Sequence, residues 1–299
     1  MKDKYAFVLK SIKKNTTISK SLDSLRHKTF IVVGGTRGIG FNIAEKLAAN
    51  DAYVSILGKT IRPHPKLENT IYTAAEVIKE KVQKATCMAI PFDIRNRNPK
   101  HLDFVFNETE DVFGKVNGIV LNASALCLNN TLNQTEKEID LMSAVNINGT
   151  YMLGQKFLQR MNDRKGHILI IAPPIDMLYN DDWWTNHFYY SMSKFNMSLM
   201  SKFWNKEFPN ISVNTLWPRT TIDTAPVRNL LGGKKMSNIS RKSDIMGDAA
   251  KHILASDPLL CTGNNFIDDE VLASLDIDVE EYKVKKDVNE KDLMPDFFC

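Results

Sequence analysis

Residues 29–48 constrain the fold of this chain more than any other part of the sequence. Five β-branched or apolar residues lead into a turn that holds Gly34, Gly38 and Gly40, and an amphipathic stretch follows the turn directly. Glycine permits a tight turn and lets the backbone approach a pyrophosphate, while the start of the next helix offers unpaired N–H groups and a positive dipole end. The segment therefore predicts a strand, a phosphate-binding loop and a helix, in that order.

Short β-branched or apolar runs alternate with longer stretches of helical period from residue 29 onward, which predicts parallel strands joined by crossover helices. The predicted strands are 29–33, 53–57, 86–91, 118–121, 167–171, 212–216 and 265–267. The predicted helices are 38–50, 68–84, 99–113, 135–161 and 188–208. We therefore expect an α/β fold with a single Rossmann-type doubly wound parallel sheet of about seven strands and helices on both faces.

The length of 299 residues is compatible with two small domains, but α/β folds of roughly 200 to 250 residues often form one unit. We expect one domain at 29–270, an N-terminal extension at 1–28 and a charged C-terminal tail at 271–299. Right-handed crossovers place the carboxyl ends of all parallel strands on one edge of the sheet, so a ligand is expected at that edge.

Composition excludes several classes of protein. The net charge of +4 comes from 39 basic and 35 acidic residues that are well mixed after a lysine-rich start, which argues against a nucleic-acid partner. No apolar run reaches the length of a membrane span, and the first residues lack the apolar stretch of a signal peptide. We expect a cytoplasmic protein, with a mitochondrial location as the alternative because the first residues are basic. The sequence has no metal-binding pattern, and its four cysteines are expected to be reduced thiols: Cys87, Cys127, Cys261 and Cys299.

The glycines have the spacing GxxxGxG, and here the sequence resembles the short-chain dehydrogenase/reductase family. The resemblance implies a nicotinamide dinucleotide as cofactor. Asp93, after the third strand, matches the family's acid for the adenine amino group, and Asn122 lies in a turn like the family's Asn-Asn-Ala-Gly. The cofactor-binding residues so assigned are Gly34, Gly35, Thr36, Arg37, Gly38, Ile39, Gly40, Lys59, Asp93, Asn122, Tyr190 and Lys194.

The end of the second strand favours NADP(H) over NAD(H). An NAD-binding site would have an Asp or Glu there for the ribose 2′-hydroxyl, and the sequence has none. Lys59 and Arg37 instead supply positive charge where a 2′-phosphate would lie. The alternative is that both are solvated surface cations.

Tyr190 and Lys194 form a YxxxK pattern, which puts phenol and ammonium on one face of a helix. A neighbouring cation stabilises phenolate and lowers the tyrosine pKa, so the tyrosine can exchange a proton with a carbonyl or alcohol oxygen. Tyr189 is a local competitor but has Ser193 four positions on. The resemblance assigns Asn146 to a proton relay through water, with Asn148 as the less favoured match and a buried or capping Asn as the alternative role.

The family's catalytic serine, which follows the fifth strand, has no counterpart here. That strand runs into Ala172 and two prolines, and losing one such hydrogen-bond donor costs about two to three orders of magnitude in rate. Asp176, Tyr179 or Thr185 are candidate substitutes.

Several stretches are more specifically similar to the hydroxysteroid dehydrogenase-like protein 2 subfamily. They include 59–67, 70–76, 216–220, 262–264, 267–270 and the terminal Pro-Asp-Phe-Phe at 295–298. The resemblance implies a lipid-like substrate. Subfamily members with the full architecture also carry a C-terminal sterol-carrier domain and often a peroxisomal C-terminal tripeptide, and this chain contains neither. Met177, Trp183, Trp184 and Trp217 suit an apolar ligand, or equally ordinary core packing.

Two functions follow. The first is an NADP(H)-dependent oxidoreductase that interconverts a carbonyl and a hydroxyl group on an apolar, lipid-like small-molecule substrate, with Tyr190, Lys194 and Asn146 as catalytic residues. The second is an NADP(H)-binding sensor or scaffold whose catalysis is impaired because the serine is replaced; a carrier that ignores nucleotide is a third. By family analogy we expect a homo-oligomer.

Overall fold

The computed structural model describes residues 11–161, 164–179 and 186–298. Its centre is a sheet of seven parallel strands in the order β3-β2-β1-β4-β5-β6-β7. The strands are β1 (Thr29–Val33), β2 (Tyr53–Gly58), β3 (Thr86–Pro91), β4 (Val116–Leu121), β5 (Gly166–Ile171), β6 (Ile211–Trp217) and β7 (Asn265–Ile267). The doubly wound fold is confirmed, and the strand order reverses between β1 and β4, which is where such sheets open a ligand crevice.

Helices cover both faces of the sheet. They are α1 (Gly38–Ala48), α2 (Ile71–Lys81), α3 (Pro99–Phe113), α4 (Glu136–Met142), α5 (Thr150–Met161), α6 (Phe188–Glu207), α7 (Ala225–Asn229), α8 (Gly233–Asn238), α9 (Asp244–Ala255) and α10 (Asp268–Ala273). Among the described residues, no helix has both the length and the apolar character needed to cross a membrane.

Alternation along the buried strands builds two cores. On β1, Phe30 and Val32 face the core beneath α1, α2 and α9, whereas Ile31 and Val33 face the core beneath α3, α5 and α6. All five residues of β1 are buried, as a central parallel strand requires. Among the described residues, helices therefore cover both faces of the sheet, and a ligand is expected at its carboxyl edge.

Four of the five predicted helices differ from the structure, and two of them differ only at one end: 38–50 ends at Ala48 and 188–208 at Glu207. The helix predicted at 68–84 spans 71–81, because Thr70 caps it in a reciprocal capping box with Thr73 and because Val82 has extended backbone. The single helix predicted at 135–161 is divided: a π-helical turn (Ser143–Gly149) separates α4 from α5. Such turns insert an extra residue and are frequent at functional sites.

The described residues outside 29–270, at 11–28 and 271–298, pack against the domain. Ser11 donates hydrogen bonds to Glu270 at 2.9 Å from its backbone N–H and 2.6 Å from its hydroxyl. At the other end Leu293 and Phe298 are buried, and Phe298 is only 2% exposed. The C-terminal tail is thus part of the core.

Candidate functional site

Two glycines of the glycine loop stand where a side chain would not fit. Gly34 has a positive φ of 79°, and its N–H donates to Leu57 O at the end of β2. A Cβ on Gly40 would lie 2.3 Å from Gly34 O and 2.4 Å from Asn122 Nδ2. No side chain caps the N-terminus of α1, so its N–H groups are free to face a ligand. These features fit a bound pyrophosphate.

A cavity of about 580 Å³ extends along the carboxyl edge of the sheet from this loop. Most of the predicted cofactor and catalytic residues line it: Gly34, Thr36, Arg37, Gly38, Ile39, Lys59, Asp93, Asn122, Tyr190 and Lys194. Gly35 and Gly40 lie beneath the loop, where a Cβ on Gly35 would meet Ile56 at 2.7 Å. One cavity therefore joins the predicted phosphate loop to the predicted catalytic pair.

The two predicted 2′-phosphate ligands differ in their contacts. Arg37 donates from Nε to Glu68 O at 2.9 Å and from Nη2 to Asn69 O at 3.0 Å. Lys59 is exposed at the cavity wall, and its charge contributes to the lowered pKa of Asp93. Asp93 is held mainly by Arg95, whose Nη2 lies 2.6 Å from Oδ2. Arg37 is thus held by backbone carbonyls, while the Lys59 ammonium makes no hydrogen bond or ion pair with the described residues.

Asn122 ties the loop after β4 to the glycine turn. Its Nδ2 donates to Gly34 O at 3.0 Å and to Val33 O at 3.3 Å. Asn146, in the π-helical turn, is fully buried and forms a second such tie: its Oδ1 accepts from the Ala125 N–H at 2.7 Å, and its Nδ2 donates to Ser193 Oγ at 2.9 Å. Neither Asn146 nor the half-buried Asn148 lines the cavity.

Tyr190 and Lys194 lie one turn apart on α6, and both are buried. Lys194 Nζ donates to Ile171 O at 2.6 Å and lies 5.0 Å from the centre of the Trp217 ring. An ammonium over an indole face is stabilised by the ring quadrupole. Tyr189 is directed elsewhere, because its hydroxyl pairs with Ser143 Oγ at 2.5 Å. Of the two tyrosines, Tyr190 is the one at the cavity.

Burial dominates the electrostatics of the pair. Desolvation raises the pKa of Tyr190 well above its usual value, and the carboxylate of Asp296 raises it further. Desolvation also lowers the pKa of Lys194 to about 7, against the opposing effect of Asp296. The expected lowering of the Tyr190 pKa is therefore wrong for the polypeptide alone, because burial and the Asp296 carboxylate both disfavour the phenolate.

Ala172 does not face the cavity. It is fully buried in the core beneath α3, α5 and α6, whereas the preceding Ile171 lines the cavity. A hydroxyl at position 172 would thus lie in an apolar core, and Ala172→Ser would not restore a donor to the site. Asp176 is exposed and away from the cavity. The Tyr179 side chain and Thr185, Trp183 and Trp184 lie outside the described residues.

Two groups of cavity residues were missed from the sequence. The first follows β6 and includes Thr221, Ile222 and Thr224; the rule that ligands bind beyond strand carboxyl ends could have found it. The second is Asp296 and Phe297, from the C-terminal tail. Their stretch is similar to the subfamily, but nothing local marks it as part of the cavity, because its place depends on contacts with residues about 80 positions away.

Comparison with known proteins agrees with this geometry. The family model described as short chain dehydrogenase matches residues 28–231. The chain is 38% identical over 273 residues to hydroxysteroid dehydrogenase-like protein 2 of Xenopus tropicalis, which covers 90% of this chain but 63% of that protein. The chain thus spans less than two thirds of the length of this curated relative.

Solved structures share the fold. A putative dehydrogenase from Xanthomonas campestris superposes with a TM-score of 0.84 at 35% identity, covering 92% of this chain and 98% of the other. A short chain dehydrogenase from Mycobacterium thermoresistibile gives a TM-score of 0.81 at 36% identity, covering 91% and 95%. The matched segment holds the glycine loop, Asn146, Tyr190 and Lys194. This chain belongs to the short-chain dehydrogenase/reductase family, whose members are oxidoreductases that bind nicotinamide cofactors.

Proposed function

We propose that this protein is an NADP(H)-dependent oxidoreductase that interconverts a carbonyl and a hydroxyl group on an apolar, lipid-like substrate. The observation that carries the proposal is the single cavity lined both by the glycine loop and by Tyr190 and Lys194. A phosphate-binding loop and a proton-exchanging group in one cavity are what hydride transfer to a carbonyl requires.

In this proposal each residue of the site has one task. The glycine loop and the start of α1 hold the pyrophosphate. The nicotinamide supplies or accepts the hydride when it is bound. Tyr190 gives its phenolic proton to the carbonyl oxygen in reduction and takes a proton from the hydroxyl in oxidation. Lys194 stabilises the phenolate and orients the ribose, and Asn146 keeps the loop after β4 against α6 while supporting a proton relay.

The preference for NADP(H) rests on charge at the far end of the cavity. Lys59 and Arg37 line that end. Both charges suit a 2′-phosphate, and neither suits the hydrogen-bonded 2′-hydroxyl of NAD(H). Asp93 is the proposed contact for the adenine.

The proposal of an apolar substrate rests on the apolar side chains that line the cavity. They include Leu126, Leu141, Ile222, Val227 and Leu231. A pocket of this kind takes up hydrocarbon and leaves the carbonyl to the few polar groups. The hydroxysteroid dehydrogenase-like name of the curated relative agrees with such a substrate.

A second function is favoured by one observation. None of the described side chains at positions 172–177 lines the cavity, so that segment provides no hydrogen-bond donor for the substrate oxygen. An NADP(H)-binding sensor or scaffold with impaired catalysis would have such a site.

The deciding experiment is NADPH oxidation in the presence of decanal, an aryl methyl ketone or a steroid ketone. We expect Tyr190→Phe to lower kcat by roughly two to four orders of magnitude, because it removes the transferred proton, with NADPH affinity unchanged by fluorescence titration. Tyr189→Phe is the matched control, since its hydroxyl binds Ser143 outside the cavity. Tight NADPH binding without wild-type turnover would favour the sensor instead.

We also propose that the protein is a homo-oligomer. Exposed apolar side chains of α5 and α6 form one patch: Tyr151 is 42% exposed, Leu199 39% and Phe203 59%. Leu199 and Phe203 lie one helical turn apart, and the Tyr151 ring lies 5.6 Å from that of Trp204, beside Phe203. Contiguous apolar surface of this kind is typical of a contact between subunits.

A further inference from the structure

The C-terminal tail delivers a carboxyl group to the catalytic cavity. Residues 294–296 pair antiparallel with the segment that follows β6: the Thr221 N–H donates to Met294 O at 2.8 Å, and the Asp296 N–H donates to Arg219 O at 2.9 Å. Asp296 consequently lines the cavity with Tyr190 and Lys194. The backbone is therefore fixed at Asp296 and two residues before it.

Packing beyond Asp296 fixes the tail in place. The Phe298 ring packs at 5.3 Å from Phe195 and 5.5 Å from Trp217, and at 6.3 Å from Tyr190. Before Asp296, the fully buried Arg241 forms an ion pair with Glu290. Asp296 therefore stands between two anchors and cannot move freely out of the cavity.

One oxygen of the Asp296 carboxyl is left without a partner: Oδ1 is buried and accepts no hydrogen bond from the described residues. The charged or polar groups that act on it are Lys194 and Tyr190 of α6, Asp268 at the start of α10, the Trp217 indole and the Phe297 N–H. Asp268 is itself held by the Arg219 and Asp269 N–H groups. Among these groups Lys194 is the only full positive charge.

We propose that Asp296 is the counter-ion of the Tyr190–Lys194 pair, a positioning residue that keeps Lys194 charged in its buried place. This rests on the proposed function, for which Lys194 must be an ammonium. Lys194 is 2% exposed, and its hydrogen bond is to a neutral carbonyl. A buried ammonium with only neutral partners loses its proton readily, and an anion in the same low-dielectric cavity opposes that loss.

The charge of Asp296 shifts the pKa of both members of the pair in the same direction. The Asp296 carboxylate raises the pKa of Lys194 and also that of Tyr190. Reduction requires Lys194 charged and Tyr190 protonated, so activity is lost as pH rises through these pKa values. Burial raises the pKa of Asp296 itself to about 7, so its effect is present above about pH 7 and fades below it.

The test is the pH profile of kcat/KM for NADPH-dependent reduction in Asp296→Asn. We expect the alkaline limb to move to lower pH by about one unit, which is up to about tenfold in rate on that limb, while the profiles converge at about pH 6. Asp296→Glu should restore the limb in part. Asp287→Asn, which removes an exposed carboxylate from the same tail, should leave the profile unchanged. A role limited to docking the tail would lower the rate equally at every pH, and that result would overturn the proposal.

A second measurement needs neither cofactor nor substrate. NMR of isotope-labelled lysine Cε, with the Lys194 signal assigned by its loss in Lys194→Met, reports the pKa of Lys194 directly. We expect this pKa to fall by about one unit in Asp296→Asn. An unchanged value overturns the counter-ion role. If the wild-type protein reduces no carbonyl, the proposed function fails, and this titration still decides whether Asp296 acts on Lys194.

Discussion

Arg37 and Lys59 have different freedom at the proposed 2′-phosphate site. Arg37 is fixed by two backbone carbonyls of the loop after β2. Lys59 is exposed at the cavity wall. Lys59 is therefore the residue whose charge can be changed with the least effect on the loop itself.

We predict that Lys59→Asp reverses the cofactor preference. The carboxylate would repel a 2′-phosphate and could accept a hydrogen bond from the 2′-hydroxyl of NADH. The ratio of NADPH to NADH affinity, measured by fluorescence titration, should fall by a factor of at least about ten. This factor corresponds to a change of about 1.4 kcal/mol in the difference between the two binding free energies. Lys66→Ala, an exposed lysine of the same loop that does not line the cavity, is the control. An unchanged ratio would mean that Lys59 does not face the ribose.

The residues of the site differ in how far the sequence can predict them. The glycine loop, Tyr190 and Lys194 are placed in one cavity as expected, because each lies in a short pattern at the carboxyl end of a predicted strand or on one helix face. Ala172 is different. The sequence indicates the absence of a serine, but only the direction of the strand side chains shows that position 172 faces the core.

At the level of elements, the π-helical turn explains why one helix was expected where two are present. Apolar residues continue through 135–161 with helical period, and the extra residue of the turn leaves no mark in composition. The turn buries Asn146 between the loop after β4 and Ser193 of α6. Hydrogen bonds between distant elements select this geometry, and local propensity does not encode them.

The C-terminal tail is the element whose docking most affects the site. We predict that Phe298→Ala releases it, because the ring packs against Tyr190, Phe195 and Trp217. Truncating a buried phenylalanine in a core costs about 3–5 kcal/mol, and undocking of the tail limits the loss here to about 3 kcal/mol or less. Hydrogen exchange of the Asp296 and Thr221 amides should accelerate, and carbonyl reduction should fall.

The control for this change is Tyr72→Ala, which removes a half-exposed aromatic ring from α2. It should leave exchange at Asp296 and Thr221 unaltered. Protected amides in Phe298→Ala would show that the backbone pairing alone holds the tail.

For the whole molecule, the alternation of short apolar runs and helical stretches was sufficient to predict the sheet. Seven short apolar runs in this order, each of strand length and buried on both faces, are compatible with few arrangements other than one parallel sheet. Only the ends of the strands differ from the prediction, as at Val116. The packing of 11–28 and 271–298 was not predictable in the same way. Apolar residues are mixed with many charged residues in these segments, and side chains such as Leu25, Leu293 and Phe298 are buried only because distant parts of the chain pack against them.

The exposed apolar patch on α5 and α6 leads to a prediction about assembly. Phe203 is the most exposed of the apolar side chains in the α5–α6 patch, so Phe203→Glu should place a charge at the centre of any contact between two copies. Size-exclusion chromatography with light scattering should give a dimer or tetramer for the wild type and mainly a single chain for the variant, because an unpaired buried charge costs several kcal/mol. Leu132→Glu, at a side chain that is 95% exposed and lies before α4, should leave the assembly intact. A wild-type protein that elutes as a single chain at micromolar concentration would contradict the proposed oligomer, and the apolar patch would then need another partner.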